Sequence, residues 1–91
     1  MLGPDTRVRL AGKARLRFDE RSGKHMLLYP ERGMALNDTA HDIVTLCTGE
    51  RTLSEIVHTL RMKYQTGERL EGDVRAFLGA LLERGLVELS P

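Results

Sequence analysis

The sequence predicts a small α+β domain in which an N-terminal antiparallel sheet of two or three strands precedes three helices, in a winged-helix-like arrangement. Two observations predict this class. Charged and apolar residues alternate with period two in the first third of the chain, and apolar residues recur at helical spacing in the rest. With 91 residues, the chain has room for one domain, residues 1–91, built on one modest core.

The predicted sheet is centred on a hairpin. Residues 15–18 alternate polar and apolar side chains, residues 21–24 carry a turn signal, and residues 25–29 form a second, more apolar run. Residues 6–10 also alternate, which predicts a short lead-in strand. We expect residues 1–13 to form an arm that is either mobile or exchanged between chains, so that a monomer and a strand-exchanged homodimer both fit the sequence.

A third, short strand is predicted before the first helix. Pro30 cannot donate a hydrogen bond to a sheet, so it belongs at a strand end or at a sheet edge. Gly33 permits a tight turn, and residues 34–36 are apolar and extended in pattern. Asn37 and Asp38 are favourable N-cap residues, so they are expected to end this strand and begin a helix.

Three amphipathic helices are predicted in the rest of the chain. The second begins with a capping box of Thr52 and Glu55, and Gly49 and Gly85 are expected to stop the first and third helices. Leu86 is expected to fold back on the third helix in a Schellman cap, at the start of a short C-terminal strand. The three apolar stripes are Ala40, Ile43, Val44 and Cys47; then Leu53, Ile56, Val57, Leu60 and Tyr64; then Val74, Phe77, Leu78, Leu81 and Leu82.

The residues that carry chemistry do not converge on a catalytic site. Cys47 is the single cysteine and lies on an apolar stripe, so we interpret it as a buried small hydrophobic residue. A domain of this size without a disulfide fits the reducing cytoplasm, and no secretory signal or membrane span is evident. His25, His41 and His58 fall in different predicted elements without zinc-site spacing. We therefore expect no enzymatic activity, no metal and no cofactor.

DNA binding is the main alternative function. The short connection over residues 49–51, between the first two helices, resembles a helix-turn-helix, as in a winged-helix DNA-binding regulator. The third helix would read the DNA, but residues 71–84 carry a net charge of −1. Because the phosphate backbone repels such a helix, the sequence disfavours this alternative.

An exposed sheet edge favours peptide binding instead. A sheet of two or three strands leaves unpaired N–H and C=O groups at its edge, where an extended peptide can add as another strand. Residues 28–36 fit such an edge because they are apolar and carry Pro30 and Gly33, and the third helix is expected to form the opposite wall of a groove. A structural subunit of a larger enzyme is a third hypothesis, and it predicts no affinity for peptide without the enzyme.

Four stretches of the chain resemble the pyrroloquinoline quinone (PQQ) biosynthesis protein D family, PqqD. They are residues 17–20 (RFDE), 25–37 (HMLLYPERGMALN), 46–52 (LCTGERT) and 83–87 (ERGLV). The resemblance extends over residues 14–89, and its most specific part is Leu-Tyr-Pro-Glu-Arg-Gly followed by Leu-Asn. The family pattern does not fix residues 7–13.

The resemblance implies a peptide chaperone with a winged-helix-like fold of three strands and three helices. Such a protein binds the precursor peptide PqqA and presents it to the radical SAM enzyme PqqE, which forms the first Glu–Tyr crosslink of the cofactor. The peptide is implied to add beside the third strand, here residues 31–36, in a cleft against the third helix, here residues 73–82. The implied peptide-binding residues are Tyr29, Glu31, Arg32, Gly33, Met34, Ala35, Leu36, Asp73, Val74, Phe77, Leu78 and Leu81.

Basic residues are concentrated near the N-terminus. Residues 1–25 hold seven Lys or Arg and three Asp or Glu, whereas residues 26–91 hold seven and ten. We hypothesise that this basic segment, including Arg15 and Arg17, helps to dock the partner enzyme or acidic residues of the peptide.

Overall fold

The structure, a computed structural model, describes residues 2–30, 32–64 and 69–90. In this part of the chain, two three-stranded antiparallel sheets surround three helices, which confirms the α+β class but not the winged-helix resemblance. The elements in chain order are β1 (Arg7–Leu10), β2 (Arg15–Asp19), β3 (Lys24–Tyr29), β4 (Arg32–Leu36), α1 (Asp38–Leu46), β5 (Thr48–Thr52), α2 (Leu53–Tyr64), α3 (Arg69–Glu83) and β6 (Val87–Ser90).

The first sheet, which we call the hairpin sheet, consists of β2, β3 and β4 in that order. Leu16, Leu27 and Met34 lie opposite one another and form one cross-strand row. Because Leu27 is fully buried, this row marks the inner face of the sheet, and alternate residues point to an outer face. The predicted hairpin is confirmed, and the third strand is longer than the predicted residues 34–36. Gly33 was expected in a turn but lies within β4, opposite Leu28.

A tight turn joins β2 to β3. The carboxylate of Asp19 accepts hydrogen bonds from the Arg21 amide at 3.2 Å and from the Ser22 hydroxyl at 2.9 Å. Gly23 has a φ of 71°, a conformation that costs glycine little. The predicted turn signal therefore acts through the Asp19 carboxylate and through the backbone freedom of Gly23.

The second sheet, which we call the terminal sheet, has the strand order β5–β1–β6. The lead-in strand exists as β1, with Val8 fully buried between exposed Arg7 and Arg9, but it pairs with β5 and β6 and does not join the hairpin sheet. The connection that resembled a helix-turn-helix is part of a strand: residues 48–52 form β5, which pairs with β1. Exchange of residues 1–13 between chains stays a prediction, since β1 is the central strand of the chain's own sheet here.

The predicted helix ends are confirmed except at Gly49, which does not stop α1: the helix ends at Leu46 with Cys47 as its C-cap, and Gly49 lies within β5. Asn37 caps α1 by accepting a hydrogen bond from the Ala40 amide at 2.8 Å. Thr52 and Glu55 form the capping box of α2: the Thr52 hydroxyl accepts from the Glu55 amide at 3.2 Å, and the Glu55 carboxylate accepts from the Thr52 amide at 2.8 Å.

The end of α3 has the hydrogen bonds of a Schellman cap. The Leu86 amide donates to the Leu81 carbonyl at 2.9 Å, and the Gly85 amide donates to the Leu82 carbonyl at 3.0 Å. Gly85 has a φ of 71°, as this motif requires. The cap turns the chain back so that β6 can pair with β1.

One hydrophobic core joins both sheets and all three helices. The predicted stripes supply most of it, but Phe77 is only half-buried and Leu82 is 36% exposed. None of the described helices is long and apolar enough to cross a membrane. The buried cluster comprises Val8, Ala14, Leu27, Leu36, Ile43, Val44, Cys47, Leu53, Ile56, Val57, Leu60, Leu70, Val74, Leu78, Leu81, Leu86 and Val87.

Candidate functional site

The edge of β4 is the first feature of the candidate site. β4 pairs with β3 along its whole length, from Arg32 opposite Tyr29 to Leu36 opposite His25. Within the described ranges, no strand lies on the other side of β4. Because strand backbone groups point alternately to the two sides, half of the N–H and C=O groups of β4 face outward, where an added strand can pair with them.

The side chains of β4 alternate between the core and the surface. Leu36 is only 6% exposed and belongs to the core, and Met34 is half-buried at its margin. Gly33 and Ala35 are exposed, and so is Arg32 at the start of the strand. The predicted site residue Glu31 lies outside the described residues.

The predicted helix wall has both core and surface positions. Val74, Leu78 and Leu81 are at most 1% exposed, so they support α3 from within the core. Asp73 is exposed, and Phe77 is half-buried against the core. Among the five predicted site residues of α3, Phe77 is therefore the apolar one that keeps an accessible surface. Direct contact of the buried residues with a peptide stays a prediction.

The two predicted walls meet through the core. The main packing partners of β4 are β3 and α1, whereas those of α3 are α2 and β6. Leu36 of β4 and Val74 of α3 belong to one buried cluster, and Tyr29, Met34 and Phe77 pack on its margin. The structure thus gathers these apolar residues around one core, but it does not give β4 and α3 an extensive direct interface.

An aromatic stack that sequence analysis missed fixes the hairpin sheet to α1. The rings of His25 in β3 and His41 in α1 are stacked with centroids 3.7 Å apart, and Phe18 meets His25 edge-on at 5.1 Å. The hairpin register could have predicted that Phe18 and His25 lie opposite each other. The contact with His41 depends on how α1 packs on the sheet, for which the sequence has no local signal.

Two charged residues of α3, Glu71 and Arg75, are paired. Arg75 contacts Glu71 at 3.3 Å and donates a hydrogen bond to the Leu2 carbonyl at 2.7 Å, and Glu71 also lies 3.8 Å from Arg61. A helix that reads DNA needs basic side chains free to contact phosphates. Arg75 is committed to the protein itself, so the structure does not favour the DNA-binding alternative.

Cys47 has the surroundings of a structural residue. It is 4% exposed, its thiol donates to the Ile43 carbonyl at 3.2 Å, and burial raises the pKa of the thiol to about 12. A thiol with this pKa is almost entirely protonated at neutral pH and therefore a weak nucleophile and metal ligand. In the part of the chain that the structure describes, no three His, Cys, Asp or Glu residues lie where they could jointly hold a metal ion.

Two small antiparallel sheets and three helices that share one core, with no strand beyond β4 in the described residues, define the class: a small α+β domain. The chain belongs to the family described as Coenzyme PQQ synthesis protein D (PqqD), whose model matches residues 24–87. This finding confirms the family resemblance, and three of the four sequence stretches, residues 25–37, 46–52 and 83–87, lie within the matched residues.

Individual relatives agree with this membership. The chain is 37% identical over 86 residues to the PqqA binding protein of Methylococcus capsulatus, covering 94% of this chain and 91% of the relative. It is 40% identical over 84 residues to a PqqA binding protein of Rhodopseudomonas palustris, covering 90% and 81%. The solution NMR structure of the PqqD truncation of Methylobacterium extorquens PqqCD matches with a TM-score of 0.74 and 36% identity, covering 89% and 87%. That domain is described as a functional, stand-alone recognition element for ribosomally synthesised and post-translationally modified peptides.

Proposed function

We propose that this protein is a non-enzymatic peptide chaperone of PQQ biosynthesis. It binds the precursor peptide PqqA as an added strand at the edge of β4 and presents the peptide to the radical SAM enzyme PqqE. The observation that carries the proposal is the open backbone edge of β4 in a chain that belongs to the PqqD family. Relatives named PqqA binding protein support the choice of peptide.

Strand addition separates affinity from specificity. Main-chain hydrogen bonds to β4 supply sequence-independent affinity, and pockets for alternate side chains supply specificity. Met34 and Phe77 are suited to the second role, because both are half-buried apolar side chains at the margin of a rigid core. A peptide whose side chains make favourable contacts with Met34 and Phe77 would bind more tightly than a peptide whose side chains do not.

The same geometry explains presentation. A peptide bound through its backbone on one side keeps its other backbone edge and alternate side chains exposed. The chaperone therefore holds one segment of the precursor while the segment to be modified stays free for the enzyme. No reactive side chain of the chaperone is needed for this task.

The test is a titration of synthetic PqqA into the isotope-labelled full chain, followed by backbone amide shifts. We expect the shifts to cluster in β4 and along residues 73–82 of α3, with duplex DNA causing none. A peptide that shifts no amide would refute the proposed function, and DNA-induced shifts confined to α3 would favour the regulator instead.

A further inference from the structure

The outer face of the hairpin sheet is a second candidate binding surface. Its two cross-strand rows follow from the register: Arg15, Leu28 and Gly33 form one row, and Arg17, Met26 and Ala35 form the other. We call these six residues the outer face. They point away from the row of Leu16, Leu27 and Met34, which is on the side of the sheet where Leu27 is buried in the core.

The centre of the outer face is apolar and accessible. Met26 and Leu28 on β3 are half-buried, and β4 places only Gly33 and Ala35 beside them. Leu28 lies over Gly33, because a Cβ atom added there would be 2.8 Å from the Leu28 Cδ2 atom. The small residues of β4 therefore leave the two larger side chains open to a partner.

Two grooves meet on this face. One, of about 570 Å³, is lined in part by Arg17, Met26 and Leu28. The other, of about 380 Å³, is lined in part by Lys13, Arg15 and Leu28. Because Leu28 lines both grooves, they form one surface with an apolar centre and a basic border.

The positive charge of this border is not neutralised within the described residues. Arg15 and Arg17 are exposed and form no ion pair there, whereas Arg9 pairs with Glu88. Of the acids that line the larger groove, Asp19 already accepts two hydrogen bonds in the hairpin turn. The other, Glu20, is offset by Arg21 in the same lining. Across both grooves, the two acids Asp19 and Glu20 face four basic residues, Lys13, Arg15, Arg17 and Arg21.

We propose that the outer face docks an acidic patch of a folded partner protein, which seats an apolar side chain on Met26 and Leu28. Met and Arg are enriched in protein–protein interfaces, and charge complementarity speeds association and fixes orientation. A nucleic acid backbone would gain little from the apolar centre. A second copy of this chain in a two-fold contact would place Arg15 and Arg17 against like charges.

This surface shares Gly33 and Ala35 with the predicted peptide site but uses a different side of the strand. Strand addition at β4 uses backbone groups that lie in the plane of the sheet, whereas the outer face uses side chains that project from that plane. A peptide and a protein partner can therefore be bound at the same time. In its choice of partner the inference rests on the proposed function, so the radical SAM enzyme PqqE serves as the probe.

The test compares Arg15→Ser/Arg17→Ser with a control of equal charge change, Arg51→Ser/Arg69→Ser, which lies away from the hairpin sheet. Affinities for PqqE and for PqqA are measured separately, at two salt concentrations. We expect the first variant to weaken PqqE binding by about tenfold and to reduce its salt dependence, with the affinity for PqqA changed less than twofold. Met26→Thr should weaken PqqE binding without affecting its salt dependence, and the control should change neither affinity.

Three results would overturn the inference. They are an absence of PqqE binding by the unaltered chain, an unchanged PqqE affinity in Arg15→Ser/Arg17→Ser, and a loss of PqqA affinity in that variant, which would assign these arginines to the peptide site. If the unaltered chain binds PqqE but not PqqA, the proposed function fails while the docking surface stands.

Discussion

Asp42 is a single side chain that fastens two helices together. Its carboxylate, on α1, accepts hydrogen bonds from the Tyr64 hydroxyl and from the Lys63 ammonium group, the latter at 2.9 Å, at the end of α2. Burial alone would raise the pKa of Asp42, but these hydrogen bonds and the charge of Lys63 outweigh it, so the pKa lies below its usual value. The ionised form is therefore favoured by folding.

Asp42→Asn should lower the free energy of unfolding by about 1–2 kcal/mol at pH 7, because two hydrogen bonds to a charged acceptor are weakened. Because folding lowers the pKa of Asp42, the difference in the free energy of unfolding is largest above the pKa of the unfolded state. It disappears as the pH falls through the pKa of the folded state. Urea unfolding at pH 7 and pH 3 checks the prediction, with Asp73→Asn as the control. An equal loss at both pH values would contradict it.

Replacing glycine with alanine should have opposite effects on the free energy of unfolding at two positions in or next to α3. Gly79→Ala should raise the free energy of unfolding by about 0.5–1 kcal/mol, because alanine favours helix and a Cβ there meets no atom within 4 Å. Gly85→Ala should lower it by about 1 kcal/mol or more, because Gly85 has a φ of 71°. Thermal unfolding of the two variants measures both effects, and a shift of both in the same direction would refute the assignment of these roles.

At the scale of elements, local signals predicted the hairpin sheet and the helix ends other than the end of α1, where Gly49 lies in β5 instead. Alternation, the turn around Gly23 and the Thr52–Glu55 capping box each act over a few residues, so the sequence displays them directly. β5 could not be predicted in this way. Residues 48–52 lack an apolar alternation, and their strand depends on pairing with β1, some 40 positions earlier in the chain.

The stack of His25 and His41 makes the docking of the hairpin sheet on α1 a testable element-scale property. His41→Ala should increase amide hydrogen exchange several-fold in β3 and β4, because the sheet loses a contact that is not replaced. The terminal sheet should be unaffected, and His58→Ala, at an exposed position of α2, is the control. Equal losses of protection in both sheets would show that His41 acts on global stability instead.

At the scale of the whole molecule, the candidate site was predicted in part. The β4 edge followed from Pro30, Gly33 and the family resemblance, because edge strands have recognisable composition. Which α3 residues keep an accessible surface could not be predicted. Val74 and Phe77 share one apolar stripe in the sequence, and only the packing of α3 on α2 and β6 buries the first fully and the second partly.

The proposed function requires that the two edges of the hairpin sheet differ. Leu16 on β2 and Met34 on β4 lie in the same cross-strand row, on either side of Leu27, and both keep part of their surface exposed. They are thus matched positions at opposite edges of one sheet. Threonine at either position keeps a residue suited to strands while removing most of the apolar side chain.

The most direct measurement is the affinity of synthetic PqqA for Met34→Thr and Leu16→Thr, determined by isothermal titration calorimetry. If the peptide adds at β4, Met34→Thr weakens binding by roughly fivefold or more, because apolar contact at that edge is lost, whereas Leu16→Thr binds as the unaltered chain does. Equal weakening by both variants, or weakening by Leu16→Thr alone, would contradict peptide addition at β4.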